Sequence, residues 1–316
     1  MRLLVTGGGG FIGSNLVEAL LGRGDAVRVL DDFSTGRREN LAEAPRWAER
    51  GGGSFELIEG DIRDLAICRR AVEGVDAVLH QAAIPSVQRS VRDPVATNAV
   101  NVAGTLHLLV ASREASVRRF VFASSSSVYG ESPALPKVET MPPVPISPYG
   151  LQKLAAETYC RLFHRLYGFP AIALRYFNVF GPRQDPASEY AAVVPRFLAA
   201  ARTGAVPVVY GDGEQSRDFT YVENVVRANL LASEASEGAL GGAYNVACGA
   251  RISLNDLLSA VGSLAGRPIR ARHEEARPGD IRHSLAAIDL AAARLGYRPS
   301  VDLAEGLRRT WERLAP

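Results

Sequence analysis

Residues 1–13 read Met-Arg-Leu-Leu-Val-Thr-Gly-Gly-Gly-Gly-Phe-Ile-Gly, and this stretch decides the fold. An apolar run, Arg2–Thr6, ends in a glycine turn that opens directly into a helical pattern over Gly13–Gly22. Gly7, Gly10 and Gly13 stand in the spacing GxxGxxG, with Phe11 and Ile12 inside it. Glycine here permits a turn with φ > 0, close approach of a phosphate to the main chain, and tight contact between helix and strand. The helix N-terminus that follows offers free N–H groups and the positive end of a dipole to an anion. A glycine-rich turn alone says little, but one joining a strand to a helix predicts a dinucleotide pyrophosphate site.

Outward from this unit, short apolar runs alternate with helix-length segments. Expected strands are Arg2–Thr6, Ala26–Leu30, Phe55–Glu59, Ala77–His80, Arg119–Ala123 and Ala171–Arg175, with a helix over Val100–Ala115. Apolar runs without polar alternation suit strands covered on both faces. Alternating strand and helix predicts an α/β fold, a Rossmann-like doubly wound parallel sheet with right-handed crossovers. The second half is punctuated at Gly181–Pro182, Gly211–Gly213, Gly241–Gly242 and 277–279, and only Ala243–Ala247 there reads as a strand able to return to the first sheet. We therefore expect a NAD-binding domain over 1–176, with a returning segment near 220–248, and a smaller mixed α/β substrate domain over 177–316.

Composition narrows the classes. The 316 residues are 47% hydrophobic and 22% charged, with a net charge of +2, which is ordinary globular usage with no basic footprint for nucleic acid. No run of 18 apolar residues and no signal-peptide pattern is present, so a soluble, cytoplasmic protein without a membrane span is expected. Cys68, Cys160 and Cys248 are widely spaced, which suggests neither a metal site nor a disulfide framework; they are expected as reduced, buried thiols. Only two lysines occur, Lys137 and Lys153, which makes each worth asking about.

The second strand ends at Asp31, where a carboxylate can accept from an adenosine ribose and would repel a 2′-phosphate. This favours NAD over NADP, although Arg37 and Arg38 downstream argue the other way. Asp61-Ile62 follows the third strand, where an adenine would lie; Asp61 could equally be a helix N-cap. Tyr149 and Lys153 form YxxxK, with Ser147 placed to be an N-cap and Pro148 the first helical residue. Four-residue spacing puts both on one helix face, and a cation beside a phenol favours the phenolate, a general base.

Gly7xxGly10xxGly13, Ser124–Ser127 before Val128-Tyr129-Gly130, and Tyr149xxxLys153 resemble the extended short-chain dehydrogenase/reductase superfamily. Within it the chain resembles the UDP-glucose and UDP-N-acetylglucosamine 4-epimerases, through His80–Ala83, Asn101–Thr105, Arg175–Asn178, Gly181–Asp185, Gly211–Gly213, Arg217–Phe219 and 277–280. The resemblance implies tightly held NAD, with further contacts at Gln81, Ala82, Ala83, Asn101, Ser124 and Tyr176. It implies that Tyr149, Lys153 and Ser125 are catalytic: the tyrosine takes the proton of the sugar 4-hydroxyl, hydride passes to NAD, the 4-keto sugar turns over, and hydride returns to its other face. It implies UDP-sugar contacts at Ser86, Ser126, Asn178, Val193, Val208, Tyr210, Arg217, Arg277, Asp280 and Ser284. Arginines suit a diphosphate because the guanidinium fork matches it.

Dehydratases of this superfamily carry Asp-Glu where Ser126-Ser127 stand here, so dehydration is not expected. Ser284 occupies a position that is a bulky tyrosine in epimerases restricted to glucose and galactose, so both acetylated and plain UDP-hexoses are expected as substrates. Gln88 departs from the family, which usually has proline there. UDP-glucuronate 4-epimerase is the near alternative and would need a further cation, Arg89 or Arg183. A catalytically silent NAD sensor is the distant one; such proteins typically lack the tyrosine or the lysine. A homodimer built on helices Val100–Ala115 and Leu151–Tyr167 is also expected.

Overall fold

The computed structural model describes residues 1–186, 192–275 and 281–314. Its centre is a sheet of seven parallel strands: β1 (Arg2–Thr6), β2 (Ala26–Asp31), β3 (Ser54–Glu59), β4 (Ala77–His80), β5 (Arg119–Ser125), β6 (Ala171–Tyr176) and β7 (Ala243–Val246). In space they run β7-β6-β5-β4-β1-β2-β3. This is the doubly wound order with one added strand, and it reverses direction between β1 and β4, where a crevice opens at the strand C-termini.

The pleat explains the unbroken apolar runs. Leu3, Val5, Val121, Ala123, Ile172 and Leu174 face one buried cluster. Their sequence neighbours Leu4, Phe120, Phe122, Ala171 and Ala173 face another on the opposite side. With helices on both faces, both parities of the central strands are mostly apolar, while the edge strand β3 exposes Ser54, Glu56 and Glu59. Strands β2, β5 and β6 run one or two residues past the expected ends, to Asp31, Ser125 and Tyr176. Those extra residues are polar or amphipathic and so do not extend the apolar pattern, yet they form the rim of the crevice.

The helix expected over Val100–Ala115 is part of a longer run, Pro94–Asn98, a π-helical stretch Ala99–Gly104, and Thr105–Glu114. This run has the length and hydropathy of a membrane span. Its apolarity is accounted for by Leu108, Leu109 and Ala111, which are buried against the sheet.

The chain beyond β6 builds a third core from Phe180, Val194, Phe197, Leu198, Val209, Phe219, Leu257 and Val261. Three short pairs stitch it: Val179–Phe180 with Thr220–Tyr221, Val208–Tyr210 with Arg272–Glu274, and Ser216–Arg217 with Ile252–Ser253. The returning strand β7 pairs with β6, and Ala291, Leu295 and Tyr297 also join the first cluster. Late segments of the chain therefore cover one face of the early sheet. Asp218 ties this region together: its carboxylate accepts from the backbone N–H groups of Cys248, Gly249 and Ala286. Burial pushes it up to about 6 despite those bonds. Cys68 and Cys160 are buried and Cys248 half-buried.

Candidate active site

Two cavities open along the C-terminal ends of the strands. The first, about 590 Å³, is lined by Gly7, Gly10, Phe11, Ile12 and Gly13 at its floor, by Asp31, Asp61 and Ile62 at one end, and by Gln81–Ala83, Ser86, Ser124–Ser126, Tyr149, Lys153 and Tyr176 at the other. The second, about 290 Å³, is lined by Asn178, Val193, Val208, Tyr210 and Arg217, together with Gln88, Arg196 and Gln215. They share Asn178, Val179 and Ala192, so they meet.

The glycine loop fits a pyrophosphate. Gly7 sits at φ +69°, and a Cβ there would lie 2.7 Å from the Ala82 nitrogen. A Cβ on Gly13 would lie 2.1 Å from the Gly7 carbonyl oxygen. Helix Phe11–Gly22 has no side-chain cap at its N-terminus, which leaves its amides directed at the cavity. Asp31 accepts from the Gly9 N–H at 2.7 Å and the Phe33 N–H at 2.8 Å. It lines the cavity, and burial raises its pKa. Both arginines that argued for a 2′-phosphate are paired with carboxylates: Arg37, which itself lines the cavity, with Asp185, and Arg38 with Glu59 and the Phe33 ring. Asp61 is not a helix cap. It accepts from the Arg63 N–H and pairs with its guanidinium, while Asp64 caps the following helix.

At the other end, Ser147 accepts from the Gly150 N–H and Pro148 opens the helix Pro148–Tyr167. Ser90, not expected from the sequence, accepts from the Tyr149 N–H at 3.0 Å and so fixes the first turn. The Lys153 nitrogen lies 5.8 Å from the Tyr149 ring centre and donates to the Ala123 carbonyl at 2.8 Å. Ser125 donates to Ser127 at 3.0 Å and accepts from its N–H.

The expected lowering of the phenol is not what the polypeptide alone produces. Burial pushes Tyr149 up to about 12, opposed by its hydrogen bond with Ser125. Burial also pushes Lys153 down to about 8. Burial thus disfavours both charged forms, and further positive charge next to the phenol would favour the phenolate.

This has a stability consequence. The folded lysine is depressed below its unfolded value near 10.5. Between about 8 and about 10.5 the unfolded chain binds more protons than the fold, so the stability of NAD-free protein rises with pH through that window. At pH 7 the buried ammonium is a net cost, and Lys153→Met should stabilise NAD-free protein by about 1–3 kcal/mol while removing turnover. A thermal melt at pH 7 checks this, and an unchanged or lower Tm contradicts it.

Two expected contacts lie elsewhere. Asn101 is 2% exposed and does not line either cavity. Its amide bonds the Ile84 N–H and carbonyl and Gln152, so it shapes the loop after β4 instead. Ser284 is also absent from both walls among the described residues; its N–H donates to the Ser216 carbonyl. Arg277 and Asp280 lie outside the described residues. The sequence reading missed Gly9, Asp32, Ser34, Gly36 and Asn40, which line the adenosine end. The signal available was the polar run Asp31–Asn40 between a strand end and a helix. Arg89 lines the first cavity with no ion pair among the described residues, whereas Arg183 pairs with Glu18 at 2.6 Å.

A tyrosine and a lysine on one helix face, set against a serine-bearing strand end and a glycine-floored dinucleotide crevice, define the short-chain dehydrogenase/reductase class. The chain belongs to the NAD dependent epimerase/dehydratase family, which it matches over residues 3–247. It is 41% identical over 314 residues to a UDP-glucose 4-epimerase of Mycolicibacterium smegmatis, covering 99% of this chain and 98% of the relative. Its structure superposes with TM-score 0.92 on a UDP-N-acetylglucosamine 4-epimerase of Methanobrevibacter ruminantium in complex with UDP-N-acetylmuramic acid, at 40% identity and 99% and 97% coverage. A UDP-glucose 4-epimerase of Thermus thermophilus in complex with NAD gives TM-score 0.87, 40% identity, and 99% and 98% coverage.

Proposed function

We propose that the protein interconverts UDP-hexoses epimeric at C4, acting on both the glucose/galactose and the N-acetylglucosamine/N-acetylgalactosamine pairs. The observation that carries this reading is the meeting of the two cavities at Asn178, Val179 and Ala192. One holds the Tyr149–Lys153–Ser125 group. The walls of the other contain two arginines, Arg196 and Arg217, and no carboxylate among the described residues, which suits a nucleoside diphosphate.

Bound NAD would supply the acceptor that takes hydride from C4 and gives it back. The glycine loop would hold its pyrophosphate, Asp31 a ribose hydroxyl, and Gln81–Ala83, Ser124 and Tyr176 its nicotinamide half. Tyr149 would remove the proton of the 4-hydroxyl and return it after the keto sugar has turned. Ser125 would hydrogen-bond the reacting oxygen, and Lys153 would hold positive charge beneath the phenolate. Asn178 and Arg217 would grip the diphosphate, with Arg277 and Asp280 completing the nucleotide contacts. Val193, Val208 and Tyr210 would line the uracil pocket. Ser86, Ser125 and Ser126 would offer short hydroxyls to the hexose in a cavity that Arg89 also lines, and short side chains suit a sugar that must rotate while its nucleotide stays anchored. Dehydration is disfavoured because the carboxylates on this cavity's walls, Asp31, Asp32, Asp61 and Asp185, belong to the adenosine end and Ser126-Ser127 replace the acid pair.

The test is a coupled assay on UDP-glucose, UDP-galactose, UDP-N-acetylglucosamine, UDP-N-acetylgalactosamine and UDP-glucuronate with no NAD added. Turnover of the first four is expected. Turnover of UDP-glucuronate alone would move the function to the glucuronate epimerase, with Arg89 as the cation that meets the carboxylate. No turnover on any of the five would sink the epimerase reading.

We also propose a homodimer. Leu151, Leu162, Leu166 and Tyr167 leave an apolar face on helix Pro148–Tyr167 at 58%, 39%, 65% and 54% exposure. Sedimentation as a species of one chain mass would contradict it.

A further inference from the structure

Four residues beyond Lys153 on the same helix, Glu157 is 1% exposed and Arg175, on β6, is 2% exposed. Their groups form a bidentate pair, Nη2 to Oε1 at 2.6 Å and Nε to Oε2 at 3.0 Å. A buried ion pair is a weak source of stability, since desolvating both charges offsets most of their attraction. This one is wired into the site. Glu157 Oε2 also accepts from the Ser124 hydroxyl at 2.7 Å, immediately before Ser125. Arg175 donates from Nη1 to the Tyr129 oxygen at 2.8 Å, at the end of the turn that carries Ser126 and Ser127. Tyr129 donates on to Asn245 in β7 at 2.7 Å.

We propose that Glu157 and Arg175 are positioning residues of the Tyr149–Lys153 site. The carboxylate fixes Ser124, and with it the strand end that presents Ser125. The guanidinium cancels the carboxylate's charge, so that the phenol responds to the Lys153 cation and not to an anion one helical turn below it. The function of the pair rests on the epimerase reading; its electrostatic effect on Tyr149 does not.

The other charged or titratable groups around the pair are Lys153 and Cys160 on the same helix, Tyr129, and Glu139, whose carboxylate accepts from the Asn245 N–H. Lys153 is faced by Tyr149, Cys160 and His80 of β4. His80 is held neutral by burial, down at about 3, so it stays uncharged at working pH.

The pair makes a prediction of sign. Glu157→Gln leaves a buried cation uncompensated near the site, and Arg175→Met leaves a buried anion. In NAD-loaded protein, the Tyr149 phenol is read by alkaline difference absorbance against the same variant carrying Tyr149→Phe. It should titrate about one unit lower in Glu157→Gln and about one unit higher in Arg175→Met. The double variant Glu157→Gln/Arg175→Met should return close to wild type. The acid limb of kcat/KM should move with the phenol, and KM should change less than kcat. A purely structural pair would give shifts of one sign, or none, alongside lost stability, and that result overturns the proposal. If Arg175→Met does not fold, a double variant displaced as far as Glu157→Gln overturns it equally. Wild-type protein inactive on every UDP-sugar would defeat the epimerase reading and leave the phenol titration to decide the electrostatic effect.

Discussion

Tyr149→Phe should lower kcat by about 10²–10⁴-fold, the usual contribution of a positioned general acid–base group. The substitution removes one oxygen and keeps the ring. That ring lies 5.8 Å from the Lys153 nitrogen, at the start of a helix fixed by Ser147 and Ser90. The helix start is held by Ser147 and Ser90, and the phenolic oxygen adds only its bond with Ser125, so NAD content and Tm should stay close to wild type. KM should move by no more than about threefold, because the proposed function places the nucleotide in the second cavity, away from Tyr149. Burial pushes this phenol up to about 12 in the polypeptide without cofactor, so positive charge arriving with the bound cofactor would favour the phenolate. Activity within tenfold of wild type in Tyr149→Phe would remove Tyr149 as the base and with it the mechanism proposed above.

Gly13→Ala should strip the protein of NAD. The added carbon would lie 2.1 Å from the Gly7 carbonyl oxygen and 2.9 Å from the Gly8 Cα, both backbone atoms that no side-chain rotation can clear. Either the helix withdraws from β1 or the loop is pushed into the space of the pyrophosphate. Overpacking of this kind costs about 1–3 kcal/mol, which corresponds to a loss of affinity of roughly 5- to 150-fold if it falls on the cofactor. The control is Gly22→Ala near the other end of the same helix, where an added Cβ meets nothing within 4 Å. That variant should keep its NAD and its Tm. The measurement is NAD released per chain by acid from gel-filtered protein, together with a melt. Full NAD content in Gly13→Ala would mean that the glycine spacing is not what holds the pyrophosphate.

Much of the fold was legible in the chain because the determining patterns are local. A strand, a glycine turn and a helix follow one another within Arg2–Gly22, and their spacing is set by backbone sterics. The strand runs were readable because parallel strands covered on both faces are apolar at most positions, buried polar residues such as His80, Arg175 and Asn245 being exceptions that need partners. Ser147-Pro148 announced the start of the helix Pro148–Tyr167 in the same local way, through capping chemistry. The family's motifs supplied the wider list of site residues.

Tertiary structure decided what depends on residues far apart in sequence. Asn101 was expected at the cofactor but turns its amide to Ile84, because the π-helical turn that carries it runs behind the loop after β4. Ser284 was expected against the sugar, but its strand-like segment runs beside Ser216, and neither cavity includes it among its walls. Arg37 and Arg38 carry charge that sequence cannot assign to a partner; the fold brings Asp185 and Glu59 to them, so that Arg37 lines the same cavity as Asp31 with its charge already paired. Glu157 and Arg175 meet only because β6 runs alongside the helix Pro148–Tyr167. What the sequence by itself determined is the cradle and the Tyr149–Lys153 pair, since backbone sterics and helical periodicity act within a few residues. Which charges face which, and therefore how the tyrosine is tuned, was decided only by packing, since electrostatic partners are chosen by distance in space.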